Sequence, residues 1–280
     1  MKIEFYTDTV KKRNEDIYGI TRNGAFVLDG ASALTDKNYT PSGNDVNWMV
    51  NWWKGYLEET LDNTRYSIQE ILGEGIDQFN NAYGNYVDLS TLMPYEQLSA
   101  GIAIVRKNEE FLESYVLGDV EITIEDKDGE CKVVTDKSIM NLDNQVIHSM
   151  GKNKKRKDQL VFKDFTQEEL DILRINRSKM NEPEGYYILG HCKEAVDRGI
   201  YKTTPVESIE KCLLATDGLV PLSYRYSKKG LLERIQENGA KEIIKELRNL
   251  EEADKDKKTI GRLKTHDDAT LVYLGFSLDS

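Results

Sequence analysis

Two pairs of short apolar runs near the middle of the chain constrain the fold most. Ser99–Val105 and Phe111–Leu117 flank the polar stretch Lys107–Glu110, and Glu121–Glu125 and Cys131–Val134 flank Asp126-Lys127-Asp128-Gly129. Runs this short, joined by turns this short, pair antiparallel, because a parallel connection needs a crossover of roughly a dozen residues or more. Asp126–Gly129 has the opening of a calcium loop but not its remaining ligand positions, so it reads as a tight turn. Ile17–Ile20, Ala25–Leu28, Tyr186–Leu189, Lys211–Thr216 and Ala269–Phe276 read as further strands.

Helices surround these runs. Val46, Met49, Val50, Trp53 and Leu57 fall at helical spacing, as do Ile68, Ile71, Leu72, Ile76 and Phe79, with Ser67 and Glu70 placed to form a capping box. Ser138–Ile147, a stretch capped by Thr166 and Glu169, Leu231–Gln236 and Lys241–Leu250 also read as helical. Trp53 is expected in the core. Trp48 and Trp52 are expected to cover a sheet's outer face, with a partner surface as the alternative. Strands bounded by blocks of helices, without regular βαβ alternation, define an α+β class with largely antiparallel sheets. No repeat and no Pro/Gly/Ser-rich linker divides the 280 residues, a length that suits one or two domains.

Charge narrows the function classes. Against 38 Lys and Arg stand 49 Asp and Glu, a net charge of −11, which argues against a general binder of nucleic acid or anionic membrane. No apolar run approaches the roughly 18 residues of a membrane span, and the N-terminus MKIEFYTDTVKKRNED has no apolar signal core. Cys131, Cys192 and Cys212 offer no CxxC, and His148, His191 and His266 no HExxH, so a reducing cytoplasmic setting without thiolate or histidine metal chemistry is the simplest expectation.

The carboxylates carry the chemical information. Asp29, Asp119 and Asp217 end or follow apolar runs, whereas Glu15-Asp16 and Asp267-Asp268 stand before them. In antiparallel sheets the end of one strand lies beside the start of its neighbour, so these groups converge on one edge. Gathered carboxylates repel and resist ionisation unless cations join them, and an all-oxygen set suits Mg²⁺ or Mn²⁺. Taken singly, each Asp-Gly is an ordinary turn.

Order and flanking residues together give more. The pieces NED (14–16), FVLDG (26–30), SAGIAIV (99–105), VLGD (116–119), LLATDGL (213–219) and DDATLVYL (267–274) resemble, in order, the PPM or protein phosphatase 2C (PP2C) family of metal-dependent Ser/Thr phosphatases. Asp29–Ser32 and Glu184–Leu189 are most similar to a bacterial branch. The resemblance implies one domain over 1–280, an α/β/β/α sandwich of two antiparallel sheets flanked by helices, with a variable flap-like segment within about 136–185. It implies two Mn²⁺ or Mg²⁺ ions: Asp29 bridging both, Asp217 and Asp267 on the first, and Glu15, the Gly30 carbonyl and Asp16 on the second. Asp119 matches an aspartate that holds a third ion in some relatives. The implied reaction is hydrolysis of phosphoserine or phosphothreonine in a protein substrate by a water held between the ions, with no covalent intermediate. A catalytically inactive module of the same fold, and a phosphatase of small esters, are the alternatives.

Three positions depart from the family pattern. Lys11 stands where relatives carry a phosphate-gripping Arg, with Arg13 as the rival; lysine supplies charge without a bidentate fork. Ala31 replaces a histidine that follows the bridging Asp-Gly in some relatives, which leaves His266, beside Asp267, as either a proton donor or a plain loop residue. Pro221 replaces an aspartate of the third site, which argues against a tight third ion. The basic run 152–157 reads either as an attractor of acidic phosphorylated segments or as a solvated loop.

Overall fold

Strand β3 (Gly24–Gly30) explains the layering. Ala25 and Val27 point to one side and Phe26 and Leu28 to the other, all fully buried. A strand apolar on both faces has to be covered twice. Phe26 and Leu28 meet α1 (Asp45–Thr60) and α2 (Ile68–Tyr83), while Ala25 and Val27 meet a second sheet. The computed structural model describes residues 2–152 and 158–276, and the elements below belong to those residues.

The first sheet runs β10 (Ile200–Pro205), β5 (Phe111–Leu117), β4 (Ala100–Asn108), β3, β2 (Asp16–Ile20). The second runs β1 (Lys2–Asp8), β12 (Ala269–Gly275), β11 (Ile209–Ala215), β6 (Glu121–Asp126), β7 (Cys131–Val134). Every pairing is antiparallel. Val272 and Leu274 of β12 fill the space between the sheets, and Leu271 and Tyr273 face α5 (Lys228–Asn238) and α6 (Ala240–Ala253). The result is the expected sandwich of two antiparallel sheets with helices on both outer faces. Trp53 is fully buried under α1, and Trp48 and Trp52 pack half-buried against the same cluster.

A further unit holds α3 (Ser138–Lys152), the small hairpin β8 (Leu160–Phe162) and β9 (Phe165–Thr166), and α4 (Gln167–Arg177). Three of its cations fasten it to the loop after β3: Lys163 Nζ donates to the Ala33 carbonyl at 2.9 Å, Arg174 to Leu34 at 3.1 Å and Arg177 to Ser32 at 3.4 Å. Phe165 and Leu170 pack on Leu34 beneath them.

Several sequence expectations shift. Tyr186–Leu189 is not a strand; it makes only single bridges, Met180 with Tyr186 and Ala100 with Leu189. The Asn181 side chain accepts from Ile188 N at 2.9 Å and so takes a donor that a ladder would need. Helix α3 runs past Ile147 to Lys152, and the basic run beyond it, 153–157, lies outside the described residues. Strands β1 and β10 were not anticipated. Both are sheet edges with largely accessible side chains, where apolar periodicity is weakest.

Candidate active site

Register brings the carboxylates to one edge. On the first sheet Asp16 lies opposite Asp29, and Asp29 opposite Gly101. On the second, Ala215 pairs with Leu271, so Asp217 follows the end of β11 while Asp267 and Asp268 precede the start of β12. The two Asp-Gly steps are not left-handed turns. A Cβ on Gly30 would lie 2.5 Å from the Glu15 carbonyl oxygen, and one on Gly218 would lie 1.9 Å from that of Asp268. Glycine here permits close approach between chain segments, and that approach draws Asp29 toward Glu15 and Asp217 toward Asp268.

Hydrogen bonds lock this edge across both sheets. Thr216 Oγ1 donates to Asp16 Oδ2 at 2.7 Å and accepts from Thr270 N at 3.0 Å. Asp217 N donates to Asp29 Oδ2 at 3.3 Å. Buried Asp268 accepts from Thr9 Oγ1 at 2.5 Å, Lys11 Nζ at 2.8 Å and Glu15 N at 2.9 Å, which fixes the β1–β2 loop. Glu15 accepts from Ser32 Oγ at 2.5 Å, Lys11 Nζ at 2.7 Å and Asn44 Nδ2 at 3.1 Å. Asn44 is also the N-cap of α1, its side chain accepting from Asn47 N at 2.8 Å, so the helix start and the site share one residue.

Electrostatics separates these carboxylates. Burial, then repulsion from Asp268, Asp267 and Asp217, raises Asp16 well above the usual carboxylate range, although the Thr216 hydrogen bond opposes the shift. Burial and then Asp16, Asp119 and Asp267 do the same to Asp29; burial and then Asp29, Asp267 and Asp119 do it to Asp217. Asp119 is raised by burial, then by Asp136 and Asp267. Glu15 goes the other way. Burial pushes it up, but Lys11, Ser32 and Asn44 together hold it below its ordinary value.

Glu15, Asp16, Asp29, Asp119, Asp217 and Asp267 are thus brought together, and Asp268 joins them. Lys11 points into the group and also borders a cavity of about 390 Å³. Arg13 is exposed, with no side-chain hydrogen bond or ion pair among the described residues. His266 lines the same cavity, but its Nδ1 faces Glu251 Oε2 at 2.9 Å. Ala31 N donates to the Ser99 carbonyl at 3.0 Å, and Pro221 is buried within a short 3-10 helix over Asp217–Tyr224.

Sequence reasoning missed Lys264, whose Nζ donates to Asp267 Oδ1 at 2.7 Å, and Lys163, which reaches the cavity from the β8–β9 turn. Lys264 belongs to no motif, and no pattern signal could have found it. It also missed the roles of Ser32, Asn44, Thr216 and Asp268. Of these, only Asp268 carried a signal, being adjacent to Asp267.

Among the described residues, no group of three or more His, Cys, Asp or Glu is already gathered in coordinating geometry. The donor chemistry nevertheless fits a hard divalent cation. The donors are oxygens, the excess charge is negative, and Asp16, Asp29 and Asp217 resist ionisation for want of positive charge.

Two antiparallel sheets thus lie between helices, with aspartates crowded at one edge. The sequence matches the Protein phosphatase 2C family over residues 10–257, and the chain belongs to that family. Its fold is similar to that of the serine/threonine phosphatase Stp1 from Staphylococcus aureus (14% identity, 99% of this chain and 95% of that one, TM-score 0.56). It is similar also to the Mycobacterium tuberculosis serine/threonine phosphatase PstP/Ppp (16% identity, 97% of each chain, TM-score 0.55). A structure of the PstP catalytic domain in complex with two manganese ions aligns at 15% identity over 97% of this chain and 96% of that one, TM-score 0.51. No curated protein matches the sequence. No helix among the described residues is long and apolar enough to cross a membrane.

Proposed function

We propose that the chain is a Mn²⁺- or Mg²⁺-dependent phosphatase of phosphoserine and phosphothreonine in proteins, acting in the cytoplasm. The observation that carries this reading is the convergence of Asp29, Asp217 and Asp267, with Asp16 and Asp119, into a group short of positive charge. Asp29, Asp217 and Asp267 would hold one ion, and Glu15, the Gly30 carbonyl and Asp16, with Asp29 shared, the other. When bound, such ions lower the pKa of water and offset charge on the phosphoryl oxygens.

The chain's own residues supply binding and order. Lys11 and Lys163 line the cavity beside the carboxylates and give it positive charge suited to a phosphoryl group, while Leu34 and Phe165 give it an apolar wall. Lysine binds as a point charge, so orientation falls to the shape of the cavity. Thr216 holds Asp16, and Asn44 and Ser32 hold Glu15, so that these carboxylates keep their rotamers through a reaction cycle. The unit of α3, β8, β9 and α4 acts as the flap-like wall, fastened through Lys163, Arg174 and Arg177.

The test is hydrolysis of p-nitrophenyl phosphate and of phosphopeptides by the full chain on addition of Mn²⁺. Turnover should vanish with EDTA and fall on the order of 10³-fold in Asp29→Asn, roughly 4 kcal/mol of barrier. A metal-loaded chain inert on every such substrate would reject the reading. It would favour an inactive module instead, an alternative supported by the two ammonium groups, Lys11 and Lys264, standing among the ligand oxygens. Turnover confined to small esters would move the substrate class without touching the chemistry.

A further inference from the structure

Lys264 has no part in that reading, yet it stands at the carboxylate group, paired to one of its members. It lies on the segment between α6 and β12, which Arg262 braces by donating to Asp254 Oδ2 at 2.8 Å and to the Glu251 carbonyl at 3.2 Å. From there its ammonium reaches Asp267 Oδ1 at 2.7 Å. Asp217 and Asp29 also lie within electrostatic reach of this ammonium. The same charge moderates Asp217 and Asp119. It thus pairs directly with one of the three aspartates assigned above to one ion and faces the charge of the other two. Lys11 stands over the other half, 2.7 Å from Glu15 Oε2, 2.8 Å from Asp268 Oδ2 and 3.9 Å from Asp267 Oδ1.

A divalent ion and an ammonium held at the same few oxygens repel each other. The ion needs carboxylate oxygens at about 2.0–2.2 Å and repels a cation held beside them. Lys264 has somewhere to go, since its side chain is 28% exposed and borders the 390 Å³ cavity. Seven carboxylates against Lys11 and Lys264, with Lys163 at the cavity's edge, leave a deficit that one ammonium eases only in part, so a divalent ion is the better occupant.

We propose that Lys264 is a resident counter-ion of the Asp29–Asp217–Asp267 group, and that a divalent cation binds there by displacing its ammonium toward the cavity. Metal affinity is then set by a competition written into the chain. The proposal rests on the reading that this cleft takes divalent ions.

The experiment is calorimetric titration of EDTA-treated, dialysed full-length chain with Mn²⁺, comparing the natural sequence with Lys264→Met and Lys264→Arg. Lys264→Met should bind Mn²⁺ at least tenfold more tightly and should melt several degrees lower without metal. Lys264→Arg should bind no more tightly than the natural chain. Equal or weaker binding by Lys264→Met, with Mn²⁺-dependent hydrolysis intact, overturns the counter-ion role and leaves the phosphatase reading standing. Absence of Mn²⁺ binding in every form overturns both. Amine labelling of the natural chain, read by peptide mass spectrometry, gives a second measure that needs no variant to fold. Mg²⁺ should raise modification of Lys264 several-fold, and unchanged or reduced modification overturns the proposal.

Discussion

The two ends of β4 solve the problem of buried charge in opposite ways. At one end Arg106, fully buried, faces Glu113 across the β4–β5 pair. Its Nε donates to Glu113 Oε2 at 2.7 Å and its Nη1 to the Leu61 carbonyl at 3.3 Å, while Tyr201 OH donates to Glu113 Oε1 at 2.8 Å. One cation meets one anion, and each Glu113 oxygen accepts a hydrogen bond. At the other end Gly101 lies opposite Asp29, and the charges there do not balance. Balance of this kind serves architecture. Imbalance at a cluster of carboxylates is the pattern expected where a cation from outside completes the site.

Three substitutions or conditions would break or sharpen this contrast. The largest effect is expected at the balanced end. Arg106→Met leaves Glu113 buried without its partner and should cost about 3–5 kcal/mol in urea unfolding, with Mn²⁺ affinity unchanged. A milder loss would mean that water reaches that end as well. Next comes a half-buried base whose ring pairs with an amide and, among the described residues, with no carboxylate. Burial lowers His191 to about 4, and its ring packs on Phe79 and Tyr83 with Nδ1 2.7 Å from Asn80 Oδ1. The unfolded chain takes up this proton near pH 6.5 and the folded chain only near pH 4. The contribution is therefore complete above pH 6.5 and is lost as pH falls through that window, by up to about 3 kcal/mol. Chemical denaturation across pH 4–7 should show this slope, and His191→Gln should flatten it. The smallest effect has the opposite sign. Asp217→Asn removes one of the repelling carboxylates and should stabilise the metal-free chain by about 1 kcal/mol while abolishing metal-dependent turnover. A destabilised Asp217→Asn would mean that the carboxylate is already neutralised without metal.

The same contrast explains what could be read early. Asp29, Asp217 and Asp267 were legible because each sits at a strand boundary marked by an apolar run, and antiparallel pairing alone carries strand ends to a common edge. The capping box of α2 was legible because Ser67 and Glu70 interact within one turn: Glu70 N donates to Ser67 Oγ at 3.1 Å and Ser67 N to Glu70 Oε2 at 2.7 Å. Lys264 was not, since nothing local distinguishes a lysine aimed at Asp267 from one aimed at solvent. Nor was the fate of Tyr186–Leu189, whose apolar content suits a strand but whose ladder donor is claimed by Asn181. Edge strands β1 and β10 escaped because their side chains stay accessible and leave no alternation to detect.

By itself the sequence determined the class of fold, the antiparallel pairing and the set of acidic residues at strand boundaries. These depend on neighbours along the chain and on periodicities of two and of about 3.6 residues. Only the tertiary structure decided which cations join those acids. Lys11 and Lys264 reach them from opposite ends of the chain, 253 residues apart, and a contact made across that separation leaves no local pattern in either segment.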